Sequence, residues 1–303
     1  MQLIAIILVA LSAFIHAGWN LASKRQHPSA AFFLIASVTG VLLFSPFVFM
    51  YCNTALHGFS IKVWTLLGAT GFFMALYYIS LAGSYRAGEM SVAYPLARSS
   101  PVIVVLIVAL LLGRGDQVSL ICVIGIILVV GGCFLIPLRR FGGLRLSRYL
   151  NATCGLAFLA AIGTSGYSII DDEALRTLRN NPAISLNETQ LTLLYACFEA
   201  MATSLWLVLF VAVRKNGRSD FRETLRIKKL HPVLAGVAIH ITYGIVLISL
   251  AFARNVSYVV GFRQLSIPLG AVFGIVILKE SPYIPKFMGV AIMFIGLMLI
   301  AIG

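Results

Sequence analysis

The stretch SYVVGFRQLSIPLGAVFGIVILKE, Ser257 to Glu280, has the length of a membrane crossing, because ~20 apolar residues rising ~1.5 Å each span the hydrocarbon. Yet it carries Arg263, Gln264, Ser266 and Pro268 near its middle. An arginine at that depth costs at least ~2.5 kcal/mol, so its guanidinium must face water, a counter-ion or a ligand. Gly88 to Arg114 has the same design, with Tyr94, Pro95, Arg98 and Pro101 ahead of a long apolar run. Two such stretches, one in each half of the chain, predict a polar site near the bilayer midplane.

The composition agrees. Of 303 residues, 60% are hydrophobic and only 11% charged, where a soluble domain has about 25% charged residues. Mean hydropathy is +0.98. These values describe a multi-span membrane protein with no room for a soluble domain. The net charge of +13 sits in short loops between apolar runs, which is the pattern of membrane topogenesis and excludes nucleic acid as a partner. Cys52, Cys122, Cys133, Cys154 and Cys197 lie in or beside apolar runs without metal-type spacing and read as small buried hydrophobes. There is no Gly-rich phosphate loop, no HExxH and no Cys/His cluster, so neither ATP drive, nor a metal, nor any other cofactor is expected.

Apolar windows predict ten spans, at 3–22, 30–52, 62–84, 89–112, 118–137, 151–170, 189–213, 232–252, 257–278 and 284–302. The first run, Leu3 to Ala22, lacks a basic n-region and continues into Gly18-Trp19-Asn20, so it reads as a retained helix rather than a leader. Ser84 to Gly88 and Gly113 to Gln117 leave room only for tight turns between antiparallel neighbours. Ser185 and Glu188 have the spacing of a capping box before the seventh span. Asn187-Glu-Thr189 matches a glycosylation sequon, but nothing else marks a secretory domain.

Lys and Arg set the orientation. One side holds Lys24, Arg25, Arg86, Arg139, Arg140, Arg145, Arg148, the seven between Arg214 and Lys229, Lys279 and Lys286. The other holds Lys62, Arg114, Arg176, Arg179 and Arg254, with the acidic run Asp171-Asp172-Glu173. The basic side is expected in the cytoplasm and both termini outside, in a bacterial inner membrane.

Order-preserving pairings suggest an internal repeat. Gly18-Trp19-Asn20 lines up with Gly166-Tyr167-Ser168, Ser80-Leu81-Ala82 with Ser249-Leu250-Ala251, Ser99-Ser-Pro101 with Ser266-Ile-Pro268, and Gly125 and Gly132 with Gly289 and Gly296. The unit is five spans, and an odd number turns the second copy upside down. The expected architecture is all-α: a repeat over 1–138, a basic cytoplasmic linker over 139–150 and an inverted repeat over 151–303, around a central cavity. Inverted repeats are a signature of secondary transporters.

Together, Gly18-Trp19-Asn20, Arg86-Ala-Gly88, Pro101, Gly261-Phe-Arg-Gln-Leu-Ser-Ile-Pro268 and Leu278-Lys-Glu280-Ser resemble the drug/metabolite transporter superfamily in its ten-helix EamA-type branch. His16-Ala-Gly-Trp-Asn20 is also similar to members associated with phosphonate utilisation. One departure is Leu112-Gly113-Arg114, where the family often has Leu-Gly-Glu, so Glu280 has no acidic twin. The resemblance implies a metabolite carrier, often an exporter, with the third, fourth, eighth and ninth spans around a cavity. It further implies alternating access with proton or exchange coupling.

Residues three and four apart share a helix face, and polar stripes must turn away from lipid. Ser12, His16, Trp19 and Asn20 form one stripe; Ser91, Tyr94, Arg98 and Pro101 another; Tyr195, Glu199, Thr203 and Trp206 a third; His240 and Tyr243 a fourth. Arg98 and Arg263 are the sharpest pointers, since a guanidinium fork fits carboxylate or phosphonate oxygens with two bonds. The structural alternative pairs them with Glu199, Glu89 or freed carbonyls. Candidate substrate contacts are Arg98, Arg263, Gln264, Ser266, Trp19, Asn20, Tyr77, Tyr78, Tyr94 and Tyr243. Glu199, read as the lone carboxylate deep in a span, and His16 and His240 are candidate proton carriers. Pro95, Pro101 and Pro268 are candidate hinges.

The leading expectation is a secondary transporter of a small polar or anionic metabolite, surrounded by lipid, as monomer or homodimer. A lipid-phosphate flippase differs only in a cavity open sideways. A membrane enzyme would need an acid and a base at one depth, and His16, Glu199 and His240 are spread along their spans.

Overall fold

The structure is a computed structural model. It describes residues 2–23, 29–87, 90–111, 113, 115–135, 138, 140–141, 152–227, 230–276 and 283–303. Every regular element among them is helical. The first half consists of α1 (Leu3–Ser23), α2 (Ala30–Ala55), α3 (Ile61–Ala87), α4 (Met90–Leu111) and α5 (Leu120–Leu135). The second consists of α6 (Ala152–Arg179), α7 (Glu188–Val213), α8 (Gly217–Ile227), α9 (Leu230–Leu250), α10 (Val256–Phe262), α11 (Ser266–Val276) and α12 (Ile284–Ile302).

Five stretches are long and apolar enough to cross a membrane: Ala30–Gly58, Ile61–Ser84, Glu188–Val213, Leu230–Leu250 and Ile284–Ile302. Leu3–Gly18, Pro101–Leu111 and Leu120–Leu135 are shorter apolar helical segments. The other two expected spans depart from a plain apolar rod. The sixth continues as helix to Arg179, through residues expected to be loop. The ninth is broken in its middle, with a 3₁₀ turn at Arg263–Leu265 between α10 and α11. Phe49, Ile61 and Val213 stand exposed on the outer faces, as a lipid-facing surface requires.

Local chemistry sets the helix ends. Ser29 caps α2 by accepting the Phe32 N–H at 3.2 Å. At α7 the capping box lies two residues beyond its expected place. Asn187 accepts the Gln190 N–H at 2.9 Å, and the Gln190 side chain accepts the Asn187 N–H at 3.1 Å. Asparagine caps as well as serine, and Glu188 is left to pair with Arg179 at 2.5 Å. The basic segment after α7, expected as loop, holds the short helix α8. Gly217, Phe221 and Thr224 turn inward while Arg218, Arg222 and Arg226 stay exposed, because three- and four-residue spacing puts each set on one face.

In the packing, α3 lies along α6 and α7, and α6 also lies along α4. In the same way α9 lies along α1 and α2, and α11 along α1. α2 packs on α7, and α5 on α12. The last pair is very close. A Cβ on Gly296 would sit 2.6 Å from the Gly125 carbonyl oxygen, and one on Gly125 2.6 Å from that of Gly296. Small residues allow such backbone approach. Gly131, on the same helix as Gly125, is exposed, and a Cβ there would meet nothing within 4 Å.

Gly296→Val is therefore expected to destabilise the protein by about 1–3 kcal/mol or more through overpacking, read as a lower melting midpoint in detergent. Gly131→Ala is expected to leave the midpoint unchanged.

Candidate functional site

The site is built on the close contact of α3 with α6. A Cβ on Gly163 would meet the Tyr77 backbone nitrogen at 2.7 Å, so glycine there lets the two backbones touch. That approach brings Thr70 to Asp171. The Asp171 carboxylate is fully buried and accepts three hydroxyl hydrogens. Its Oδ1 accepts from Thr70 at 2.6 Å and from Tyr195 at 2.7 Å. Its Oδ2 accepts from the Tyr243 hydroxyl. The donors come from α3, α7 and α9.

This corrects two expectations. The run Asp171-Asp172-Glu173 is helix, and its members point in different directions, as ~100° per residue requires. Asp171 faces the interior, Asp172 accepts from Arg176 Nε at 2.9 Å, and Glu173 pairs outward with Lys62 at 2.7 Å. Glu199 is consequently not the lone deep carboxylate. It is 3% exposed and lies within electrostatic reach of both Asp171 and Arg263.

Arg263 opens the 3₁₀ turn that interrupts the ninth span. Its Nη1 donates to the Tyr167 hydroxyl at 3.5 Å, and its guanidinium carbon lies 5.2 Å from the centre of the Tyr243 ring. A cation over a desolvated aromatic face is held by ~2 kcal/mol. Its Nε is buried without a hydrogen-bond partner. The aromatic rings form a continuous wall: Tyr77 lies 5.1 Å from Tyr78 and 6.0 Å from Tyr167, and Tyr167 meets Tyr243 edge-on at 5.3 Å. Phe33 stacks on Tyr78 at 4.5 Å.

Beside this wall is a small hollow, with room for roughly one water molecule, lined by Met74, Tyr78, Glu199, Ala200, Thr203, Ile239, His240 and Tyr243. The Thr203 hydroxyl is buried there without a partner. His240 Nδ1 lies 2.8 Å from the Gly236 carbonyl oxygen. A carbonyl only accepts, so Nδ1 carries the hydrogen.

The structure thus gathers Tyr77, Tyr78, Glu199, His240, Tyr243 and Arg263 in one region. Gln264, next to Arg263 in the same turn, donates back to the Val260 carbonyl at 3.1 Å, and its Oε1 is buried without a partner. Ser266 and Pro268 are buried in the first turn of α11, and His16 is half-buried on α1. The Pro101 carbonyl accepts from Ser165 at 3.4 Å, tying α4 to α6. The side chains of Trp19, Asn20, Tyr94, Pro95 and Arg98 lie outside the described residues, as does Glu280. Among the described residues no group of three or more His, Cys, Asp and Glu could hold a metal.

Sequence reasoning missed Asp171, Thr70, Tyr167 and Tyr195 as site residues. Tyr167 had a signal, since the repeat pairs it with Trp19. Tyr195 shared a stripe with Glu199. Asp171 had none, because its partners are distant in the chain.

Asp171→Ala leaves three buried hydroxyls without their acceptor. It is expected to cost about 2–4 kcal/mol of stability, measured as the melting midpoint in detergent. Glu173→Gln, on the exposed pair with Lys62, is expected to cost under ~1 kcal/mol.

Residues 3–138 match the EamA-like transporter family. One solved crystal structure is 15% identical over 97% of this chain and 95% of its own, with a TM-score of 0.66; at that identity the likeness is one of fold. No curated protein sequence matches. The family match covers residues 3–138 of 303 and is a likeness of this segment to EamA-like transporters.

Proposed function

We propose that the protein is a secondary transporter that exports a small polar or anionic metabolite, phosphonates included, by alternating access, with proton or exchange coupling. The observation that carries this reading is Arg263. It is a cation in the break of a membrane-embedded helix, held by Tyr167 and Tyr243 of the second half, with Tyr77 of the first half packed on Tyr167. Interrupted helices that place polar groups at mid-membrane are how transporters of this class build their sites. Arg98 is the second cation of the site in this reading, Tyr77, Tyr78 and Tyr243 line the path, and Glu199 and His240 serve proton movement.

Two inverted five-helix repeats and ten crossings complete the proposal. Helix packing supports it. Exchange α1 with α6, α2 with α7, α3 with α9, α4 with the α10–α11 unit, and α5 with α12. The contact of α3 with α6 then becomes that of α9 with α1. The contact of α3 with α7 becomes that of α9 with α2, and that of α4 with α6 becomes that of α11 with α1. The pairs α2–α7 and α5–α12 map onto themselves. All of these contacts are present. Such a twofold relation between halves of five spans inverts one against the other. In this arrangement α8 and the other basic segments face the cytoplasm and both termini lie outside.

The test is counterflow in proteoliposomes with a panel of amino acids, carboxylates and phosphonates. Wild-type protein is expected to carry an anionic member of the panel. Arg263→Ala is expected to abolish that transport while eluting as folded protein, and Arg263→Lys to lose most of it, because an ammonium lacks the planar fork. Carriage of cations or neutral aromatics with anions ignored would overturn the reading, as would undiminished transport by Arg263→Ala.

A further inference from the structure

We infer that Asp171 is a proton-binding site and that Tyr243 carries its state to the cavity by reversing their shared hydrogen bond. The proton site stands on geometry alone; its use in coupling rests on the transporter reading above.

An ionised carboxylate can only accept hydrogen bonds. Asp171 Oδ1 already receives Thr70 and Tyr195, and Oδ2 receives Tyr243. No described ion pair reaches it, so neutral hydroxyls alone hold a charge that burial makes costly. The surrounding titratable groups do not change this. From α3, Tyr77 packs against Tyr167, and Lys62 pairs with Glu173 on the outer face. From α7 come Tyr195 and Glu199, and from α9 Tyr243. On α6 itself Asp172 holds Arg176. Arg263 bonds Tyr167 and stands over the Tyr243 ring. On α10, Tyr258 donates to the Gly303 carbonyl. The one charged side chain on α4, Arg98, lies outside the described residues.

A proton taken from water settles on Oδ2, since Oδ1 has two donors in place. The new O–H donates to the Tyr243 oxygen. That oxygen's own hydrogen must then rotate to another acceptor, and no other covalent bond forms or breaks. Tyr243 lines the cavity beside Glu199, Thr203 and His240, which supply acceptors. Loading Asp171 therefore turns the Tyr243 hydroxyl from a donor to Asp171 into a donor toward the cavity. The same ring carries the guanidinium of Arg263, so the proton and an anion at Arg263 act on one side chain.

Infrared difference spectra of the purified protein, acidic minus alkaline, test the site without a substrate. Wild type is expected to gain a carboxylic C=O band together with a change in tyrosine ring modes. Asp171→Asn is expected to lose the Asp171 component of the band, leaving that of Glu199, while Tyr243→Phe keeps the Asp171 component and loses the ring change. Tyr195→Phe, which keeps the acid and removes one donor to its charged form, is expected to move the band's midpoint upward by on the order of one pH unit. Absence of an Asp171-dependent band, or an unmoved midpoint in Tyr195→Phe, overturns the proposal and leaves Asp171 a static acceptor. In proteoliposomes with the anion panel, wild-type transport is expected to respond to an imposed pH gradient and Asp171→Asn to lose that response. A wild type that carries an anion but ignores the gradient overturns the coupling role. A wild type that carries none of the panel counts against the transporter reading and leaves the infrared result standing.

Discussion

Three hydroxyls from three helices meet on one carboxylate. Asp171 on α6 is closed off from water, and Thr70 of α3, Tyr195 of α7 and Tyr243 of α9 supply the hydrogen bonds that water would have made. A charge in an apolar interior demands such partners. That demand fixes how α3, α7 and α9 stand around α6, and so where the rings that line the cavity fall. Glycine at Gly163 is part of the same constraint, because only a residue without Cβ lets α6 come within reach of α3.

The second charge is answered differently. Arg263 has no described carboxylate bonded to it. It rests on the face of Tyr243 and donates to Tyr167 at the long distance of 3.5 Å. One nitrogen is buried and unsatisfied. A cation held by rings and with donor capacity to spare is suited to a guest with oxygen acceptors. Tyr243 joins the two arrangements, with its ring under Arg263 and its hydroxyl on Asp171. The polar interior is therefore a single network rather than a set of separate sites.

Much of the architecture was legible in the residues. The apolar runs and the Pro- and Arg-bearing interruptions pointed to a helical membrane protein with a polar interior. The capping chemistry at α7 was foreseen in kind but misplaced, because Asn187 and Ser185 are equally good caps and only the packed register chooses between them. Helix α8 escaped notice because its charge density reads as loop until Phe221 finds the core. Glu199, His240 and Tyr243 were named from stripes, Arg263 from insertion cost, and Tyr77 and Tyr78 as apolar rings with a polar tip. Gln264 was named with Arg263 but spends its donor on its own helix.

Asp171 marks the boundary between the two kinds of information. Local sequence determines that a segment is apolar, where it is interrupted and which side chains share a face, because those properties belong to neighbours three and four residues apart. In an acidic triplet such as 171–173, local sequence carries no mark of which member enters the interior. That choice depends on donors 101, 24 and 72 residues away, which only the packed helices bring together. The chain by itself determined a membrane-embedded helical protein with arginines that need partners. The tertiary structure decided which acid is buried, because burial of a charge is a property of everything packed around it.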